Sequence, residues 1–229
     1  MLAALIACLA IFLVWRIFTR HTPWPRLFLK TIGRIAGAKV SVIGNPLSRR
    51  TIILANHVSW LDIPVLGGIT GTAFVAHSGL RANRVLTWLC GLNDTVFITR
   101  HQRRSVHGQV DQVRTALADM GALTIFPEGT TSDGTGLLPF KSSLLSALEP
   151  APEGIIVQPV WIDYGPDSAA LAWVGNESGL ANALRLMARS SPLAVTVHFL
   201  EPFAPAEAGC RKGIASLTQA RILAAMGAR

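Results

Sequence analysis

What most constrains this chain is a recurring local pattern: short apolar, β-branched runs that end in polar or Gly/Pro-containing clusters. The runs are Lys39–Ile43, Thr51–Ala55, Thr72–Ala76, Thr95–Thr99, Ala122–Phe126, Ile155–Trp161 and Ala194–Leu200. Segments this short, rich in Val, Ile and Thr and bounded by turn residues, read as strands. Ala170–Val174 has the same character and is expected to be a further strand. Helical spacings lie between several of the runs. The clearest puts Val106, Val110, Val113, Leu117 and Met120 on one face, and Lys212–Met226 reads as a closing helix. Strands alternating with helices predict an α/β fold: a single domain with a mixed, largely parallel sheet covered by helices. A chain of 229 residues suits one such domain, and no internal repeat or long linker divides it.

The amino terminus departs from this pattern. Half of the chain is hydrophobic and only 15% is charged, and much of the apolar excess is at the start. From Leu2 to Val14 there is no charge or strongly polar group, and Trp15, Ile17 and Phe18 prolong the run around Arg16. That is near the lower limit of about 17 residues for a helix that spans a bilayer. No basic residue precedes the run and no small-x-small cleavage site follows it, so a cleaved leader fits poorly. The expected organisation is a membrane-anchor helix over residues 1–20, an amphipathic, membrane-surface helix over 21–38, and the α/β domain over 39–229. Arg16, Arg20, Arg26, Lys30, Arg34 and Lys39 all follow the apolar run, which puts the domain on the cytoplasmic side.

The formal net charge of +8 calls for an acidic partner. Basic residues beside a hydrophobic segment favour anionic lipid, each contributing about 1 kcal/mol near the surface. No nucleic-acid-binding signature is visible, so nucleic acid is not an expected partner. Cys8, Cys90 and Cys210 are scattered and without a CxxC, which suggests neither a disulfide framework nor a metal site.

Three polar clusters follow predicted strands, where ligands tend to bind in open α/β sheets. The first is Asn56-His57-Val58-Ser59-Trp60-Leu61-Asp62. In one reading Ser59 caps a helix and Asp62 completes the capping pattern. In the other, one turn brings Asp62 back beside His57, where a carboxylate fixes the imidazole tautomer and leaves the second ring nitrogen free to take a proton. The second cluster, Phe126-Pro127-Glu128-Gly129-Thr130-Thr131-Ser132-Asp133-Gly134, is either a tight glycine turn or a loop holding a polar head group. Lys141 downstream could meet a phosphate or face solvent. The third is Phe97-Ile98-Thr99-Arg100, with Arg100 either on a solvated basic edge or in a phosphate clamp.

Together these clusters resemble the 1-acylglycerol-3-phosphate acyltransferase family of lysophospholipid acyltransferases. Asn56-His57-x-Ser59-x-x-Asp62 matches its NHxSxxD block, and Phe97–Arg100 is similar to the second block. Phe126-Pro127-Glu128-Gly129-Thr130 corresponds to the third and Val157-Gln158-Pro159-Val160 to the fourth, in the family's order. The resemblance implies a glycerolphosphate-acyltransferase-like fold and transfer of a fatty acyl group from acyl-CoA or acyl carrier protein to a lysolipid hydroxyl. It implies His57 as general base, Asp62 as its orienting partner, and Arg100, Glu128, Gly129, Thr130, Thr131, Ser132 and Lys141 around the acceptor. No cofactor and no metal are expected. A hydroxyl is too weakly acidic to attack a thioester unaided, and a base with a pKa of about 6.5 is suited to take its proton. There is no GxSxG elbow to suggest an acyl-enzyme.

The implied partners are the bilayer, a lysolipid acceptor and the acyl donor, and the implied setting is a bacterial inner membrane. The favoured acceptor is 1-acylglycerol-3-phosphate, with lyso-ornithine lipid or another lysophospholipid as the alternative. Thr131 stands where many family members carry an arginine, and FPEGTTSDG followed by Pro139-Phe140-Lys141 is similar to the lyso-ornithine lipid branch. Asp94 and Thr99 also depart from the second block. Two other classes compete: a non-catalytic protein binding lipid head groups, and a hydrolase that directs His57 at water.

Overall fold

The computed structural model describes residues 24–77, 95–98, 121–189 and 191–228, together with isolated positions 7, 10, 11, 14, 115 and 117. Most of the expected anchor over residues 1–20, Thr99, Arg100 and nearly all of the helical pattern around Val106–Met120 lie outside the described residues. Among the described residues no helix is long and apolar enough to cross a membrane.

A seven-stranded sheet forms the centre. Its strands are β1 (Ala38–Ile43), β2 (Thr51–Ala55), β3 (Ala73–His77), β4 (Val96–Ile98), β5 (Ala122–Ile125), β6 (Ile156–Asp163) and β7 (Leu193–Phe199), in the spatial order β1-β7-β6-β2-β5-β3-β4. The pairing of β6 with β7 is antiparallel and the others are parallel, as the alternating pattern predicts. The middle of the sheet is apolar on both faces. Every residue of β2, and every residue of β5, is buried. Ile53 and Ala55 join a core with Val160, Ile162, Val195 and Val197; Ile52 and Leu54 join the opposite core with Leu123, Ile125 and Val157. A strand with cover on both sides must read as a continuous apolar run rather than an alternating one. Each fully buried Ile or Leu contributes about 1.5–3 kcal/mol relative to exposure. By contrast β1, at the edge, is exposed over five of its six positions.

Four longer helices cover the sheet: α1 (Trp24–Ile35), α2 (Asp62–Thr70), α3 (Gly179–Met187) and α4 (Arg211–Gly227). Helix α1 falls inside the expected 21–38 segment. It buries Leu29 against α2 and exposes Arg26, Lys30 and Arg34. Gly67 and Gly68 make this contact close. A Cβ on Gly68 would stand 2.9 Å from the Lys30 Cα, a backbone atom that cannot swing aside. Helix α4 buries Ile214, Ala215, Thr218 and Ile222, in agreement with the expected closing helix.

One expected strand is absent. Ser168–Leu171 is a single helical turn, and the Ala172 amide donates to the Ser168 carbonyl at 3.1 Å. The Trp173 amide is committed to the Val58 carbonyl at 3.0 Å. Leu171 and Ala172 are both buried, so successive residues do not alternate between faces as a half-buried strand requires.

Candidate active site

Strands β6, β2 and β5 are neighbours and parallel, so their carboxyl ends emerge along one edge of the sheet. His57 follows β2, Glu128 follows β5 and Tyr164 follows β6. Asn56 extends the β2–β6 ladder with its side chain. Its carboxamide donates to the Ile162 carbonyl at 3.0 Å and accepts from the Ile162 amide at 2.7 Å. This fixes the backbone one residue before His57.

The turn Val58–Leu61 then folds Asp62 back. Its Oδ2 lies 2.7 Å from Nδ1 of His57 and also accepts the amides of Val58 at 2.7 Å and Ser59 at 2.9 Å. An ionised carboxylate accepts only, so Nδ1 carries the hydrogen in this pair and Nε2 keeps its lone pair. Tyr164 donates its phenol hydrogen to the other oxygen, Oδ1, at 2.5 Å. Asp62 is fully buried, whereas the His57 side chain keeps 17% of its surface exposed. The imidazole also stacks on Phe126, with ring centroids 4.1 Å apart and planes 13° from parallel. A bond at one edge and a ring against one face leave the imidazole little freedom to turn.

The helix-capping reading of this motif is corrected in part. The Ser59 hydroxyl accepts only a long contact of 3.4 Å from the Leu61 amide, and the residue before α2 is Leu61. Asp62 does reach back to the Ser59 amide, as a capping carboxylate does. The same oxygen also holds His57, so the two readings describe one side chain with two tasks.

Glu128 is equally buried, but both its oxygens are taken by backbone amides. Oε1 accepts the His57 amide at 2.8 Å and Oε2 the Leu138 amide at 3.1 Å. Burial pushes its pKa up to about 7; the two amide hydrogen bonds and His57 act in the opposite direction, and Asp62 adds to the rise. Gly129 turns the loop at φ 70°, a left-handed backbone that disfavours any side chain. Gly129 and Thr130 are exposed at its tip. Thr131 points inward and donates its hydroxyl to the Trp173 carbonyl. Ser132 is buried; its amide donates to the His57 carbonyl at 2.7 Å, and its hydroxyl accepts a long contact from the Gly134 amide. The Lys141 amide donates to the Pro127 carbonyl at 2.8 Å, and its side chain is exposed. The structure thus gathers His57, Asp62 and Glu128 and leaves Lys141 in solvent. Arg100 lies outside the described residues.

The fourth block has a structural place. Gln158 is buried in β6, accepts the Leu47 amide at 2.9 Å and donates to the Asn45 carbonyl at 2.8 Å, tying down the segment between β1 and β2. Sequence reasoning missed Phe126 as the stacking partner and Tyr164 as the second hold on Asp62. The signal for Tyr164 was faint: it is the single tyrosine of the chain and directly follows β6. Among the described residues no group of three or more His, Cys, Asp or Glu side chains could hold a metal ion.

Neighbouring central strands of the α/β sheet thus deliver a histidine–carboxylate pair to one edge, an arrangement suited to acid–base chemistry. The Acyltransferase family model matches residues 39–163, and the chain belongs to that family and is an acyltransferase. It is 36% identical over 213 residues to the lyso-ornithine lipid O-acyltransferase of Rhizobium meliloti, covering 86% of this chain and 73% of that one. It is 33% identical over 119 residues to the 1-acyl-sn-glycerol-3-phosphate acyltransferase of Neisseria gonorrhoeae, covering 50% of this chain and 47% of that one. Its fold is similar to the crystal structure of the 1-acyl-sn-glycerophosphate acyltransferase PlsC of Thermotoga maritima, with a TM-score of 0.66 and 24% identity, over 96% of this chain and 88% of that one.

Proposed function

We propose that this enzyme moves a fatty acyl group from a thioester, on coenzyme A or acyl carrier protein, to the free hydroxyl of a lysolipid. The observation that carries the reading is the His57–Asp62 pair: a buried carboxylate on Nδ1 leaves Nε2, on a partly exposed ring, as the available base. His57 takes the hydroxyl proton as the oxygen attacks the thioester carbonyl, and Asp62 steadies the imidazolium that forms. The collapsing intermediate expels the thiolate, which can take the proton back from His57. Such a base contributes typically about 10²–10⁴-fold, with positioning and charge stabilisation supplying the rest. No metal or other cofactor takes part in this scheme. The exposed tip, Gly129 and Thr130, together with Arg100, contacts the acceptor's head group.

Lyso-ornithine lipid is our first choice of acceptor. The long, 36% identical match to such an enzyme supports it, as does Thr131, whose hydroxyl is spent on Trp173 at a position where the family often carries an arginine for a phosphate. 1-Acylglycerol-3-phosphate is the second reading, favoured by the similarity to the Neisseria gonorrhoeae enzyme. Either way the domain works at a bilayer. Arg26, Lys30 and Arg34 recur every four residues on the exposed side of α1, beside the exposed Leu27. Residues 1–20 anchor the chain, α1 lies on the anionic surface, and the catalytic domain faces the cytoplasm, as at a bacterial inner membrane.

The test offers the purified protein a labelled acyl-CoA or acyl carrier protein and a panel of lyso-ornithine lipid, 1-acylglycerol-3-phosphate and other lysophospholipids. Diacylated product is expected, highest with lyso-ornithine lipid. Binding without product across the panel would favour a head-group-binding protein, and free fatty acid without an acceptor would mark a hydrolase.

A further inference from the structure

The geometry points to Tyr164 as a positioning residue for acyl transfer: its phenol holds Oδ1 of Asp62, so that Oδ2 stays on Nδ1 of His57. The inference rests on His57 being the base, as proposed above. It concerns a residue outside the four sequence blocks.

Donors converge unevenly on Asp62. Oδ2 accepts from the His57 ring and from the Val58 and Ser59 amides, whereas the hydrogen bond at Oδ1 comes from Tyr164. The Val58 and Ser59 amides belong to the same turn as His57 and move with it. Tyr164 directly follows strand β6, lies 102 residues away in sequence, and is 1% exposed within the core that also contains Leu61, Val65 and Ile162. It therefore references the carboxylate to the sheet rather than to its own loop. A carboxylate held on both oxygens cannot rotate about its Cβ–Cγ bond without breaking a buried hydrogen bond, which is costly. Second partners of this kind set the tautomer and the orientation of a functional histidine in other settings too.

Tyr164 is suited to the task. Burial above all, then the Asp62 charge and hydrogen bond, push its phenol well above its ordinary range, so it remains a donor while the reaction runs. The other titratable groups facing Asp62 are His57 itself and Glu128. Glu128 spends its oxygens on two amides and so does not compete for the phenol.

The experiment is Tyr164→Phe, which removes one oxygen and keeps the ring. The expected result is a fall in kcat of about tenfold, with KM for the acyl acceptor changed by less than about twofold. In the spectrum of the ¹⁵N-labelled histidine ring, His57 is expected to change from a single Nδ1–H tautomer to a mixture. A purely structural tyrosine would lower the melting temperature and leave the tautomer alone. In an Asp62→Asn background the same substitution is expected to cost little further, because it acts through that carboxylate. Parental kcat and ring spectrum in a folded Tyr164→Phe protein, or full additivity with Asp62→Asn, would overturn the inference.

Should Tyr164→Phe fail to fold, fluorotyrosine carries the test. As the chain has one tyrosine, global incorporation alters position 164 alone and keeps the hydrogen bond. A stronger donor at Oδ1 is expected to shift the His57 Nδ1–H resonance, and an unmoved resonance counts against the inference. His57→Ala separates the two levels of the argument. If it keeps full turnover, the proposed function fails; if it is inactive while Tyr164→Phe matches the parent, only the role of Tyr164 fails.

Discussion

Two buried carboxylates sit at neighbouring strand ends, after β2 and after β5, and they do different work. Asp62 and Glu128 are both fully buried. Asp62 accepts from a ring, a phenol and two amides, whereas Glu128 accepts from two amides alone. Asp62 therefore acts on side chains and sets the orientation of the imidazole. Glu128 acts on backbones and ties the loop after β5 to the His57 amide. The cost of that tie is visible in its pKa, pushed up to about 7 by burial that its two amides do not fully offset. At equal burial, the number and kind of donors decide the task.

The largest effect is expected from removing the side-chain partner. Asp62→Asn should lower kcat by about 10²–10³-fold with a smaller effect on acceptor KM, because an amide can present its NH₂ to Nδ1 and select the wrong tautomer. Steady-state acyl-transfer kinetics on a folded protein check this.

Glu128→Gln sharpens the contrast through stability. Its NH₂ must face one of the two amide donors, which should cost about 1–3 kcal/mol in denaturant unfolding. The pH dependence has a definite sign. A carboxyl raised from 4.5 to about 7 binds its proton more tightly in the folded state. Its contribution is full below about pH 4.5 and is lost as pH rises through 7. The parent should therefore lose roughly 3 kcal/mol across that window relative to Glu128→Gln, in unfolding curves taken at several pH values. A flat difference between the two proteins would show that Glu128 is not held as described.

Smaller effects follow where the loop or the helix cover is touched rather than the carboxylates. Gly68→Ala should destabilise by about 1–3 kcal/mol, since its methyl meets the α1 backbone, and should lower the melting temperature without changing the kinetics of the residual folded enzyme. Thr131→Val removes the hydroxyl that ties the loop to Trp173 and should cost about 1 kcal/mol, with a modest rise in acceptor KM.

The parts of this molecule legible in sequence are those whose cause is local. The run Thr51–Ala55 coincides with β2 because a strand covered on both faces must be apolar throughout. His57 and Asp62 were legible as a pair because a single turn joins them. Helix α3 was not, since Leu180 and Leu184 face outward while Asn182 and Leu186 are buried, against the usual polarity of a surface helix. Tyr164 was missed for a different reason: only the β2–β6 pairing brings it to Asp62. Thr131 reads in sequence as a missing arginine, whereas its partner, Trp173, lies 42 residues away in a segment that reads as a strand and is not one.

The central claim is that the imidazole after β2 is the base. The measurement that tests it most directly is the turnover of His57→Ala with labelled acyl donor and the best acceptor of the panel, on protein whose melting temperature matches the parent. The account predicts a loss of at least about a hundredfold with acceptor binding preserved. Turnover within a few fold of the parent would contradict it.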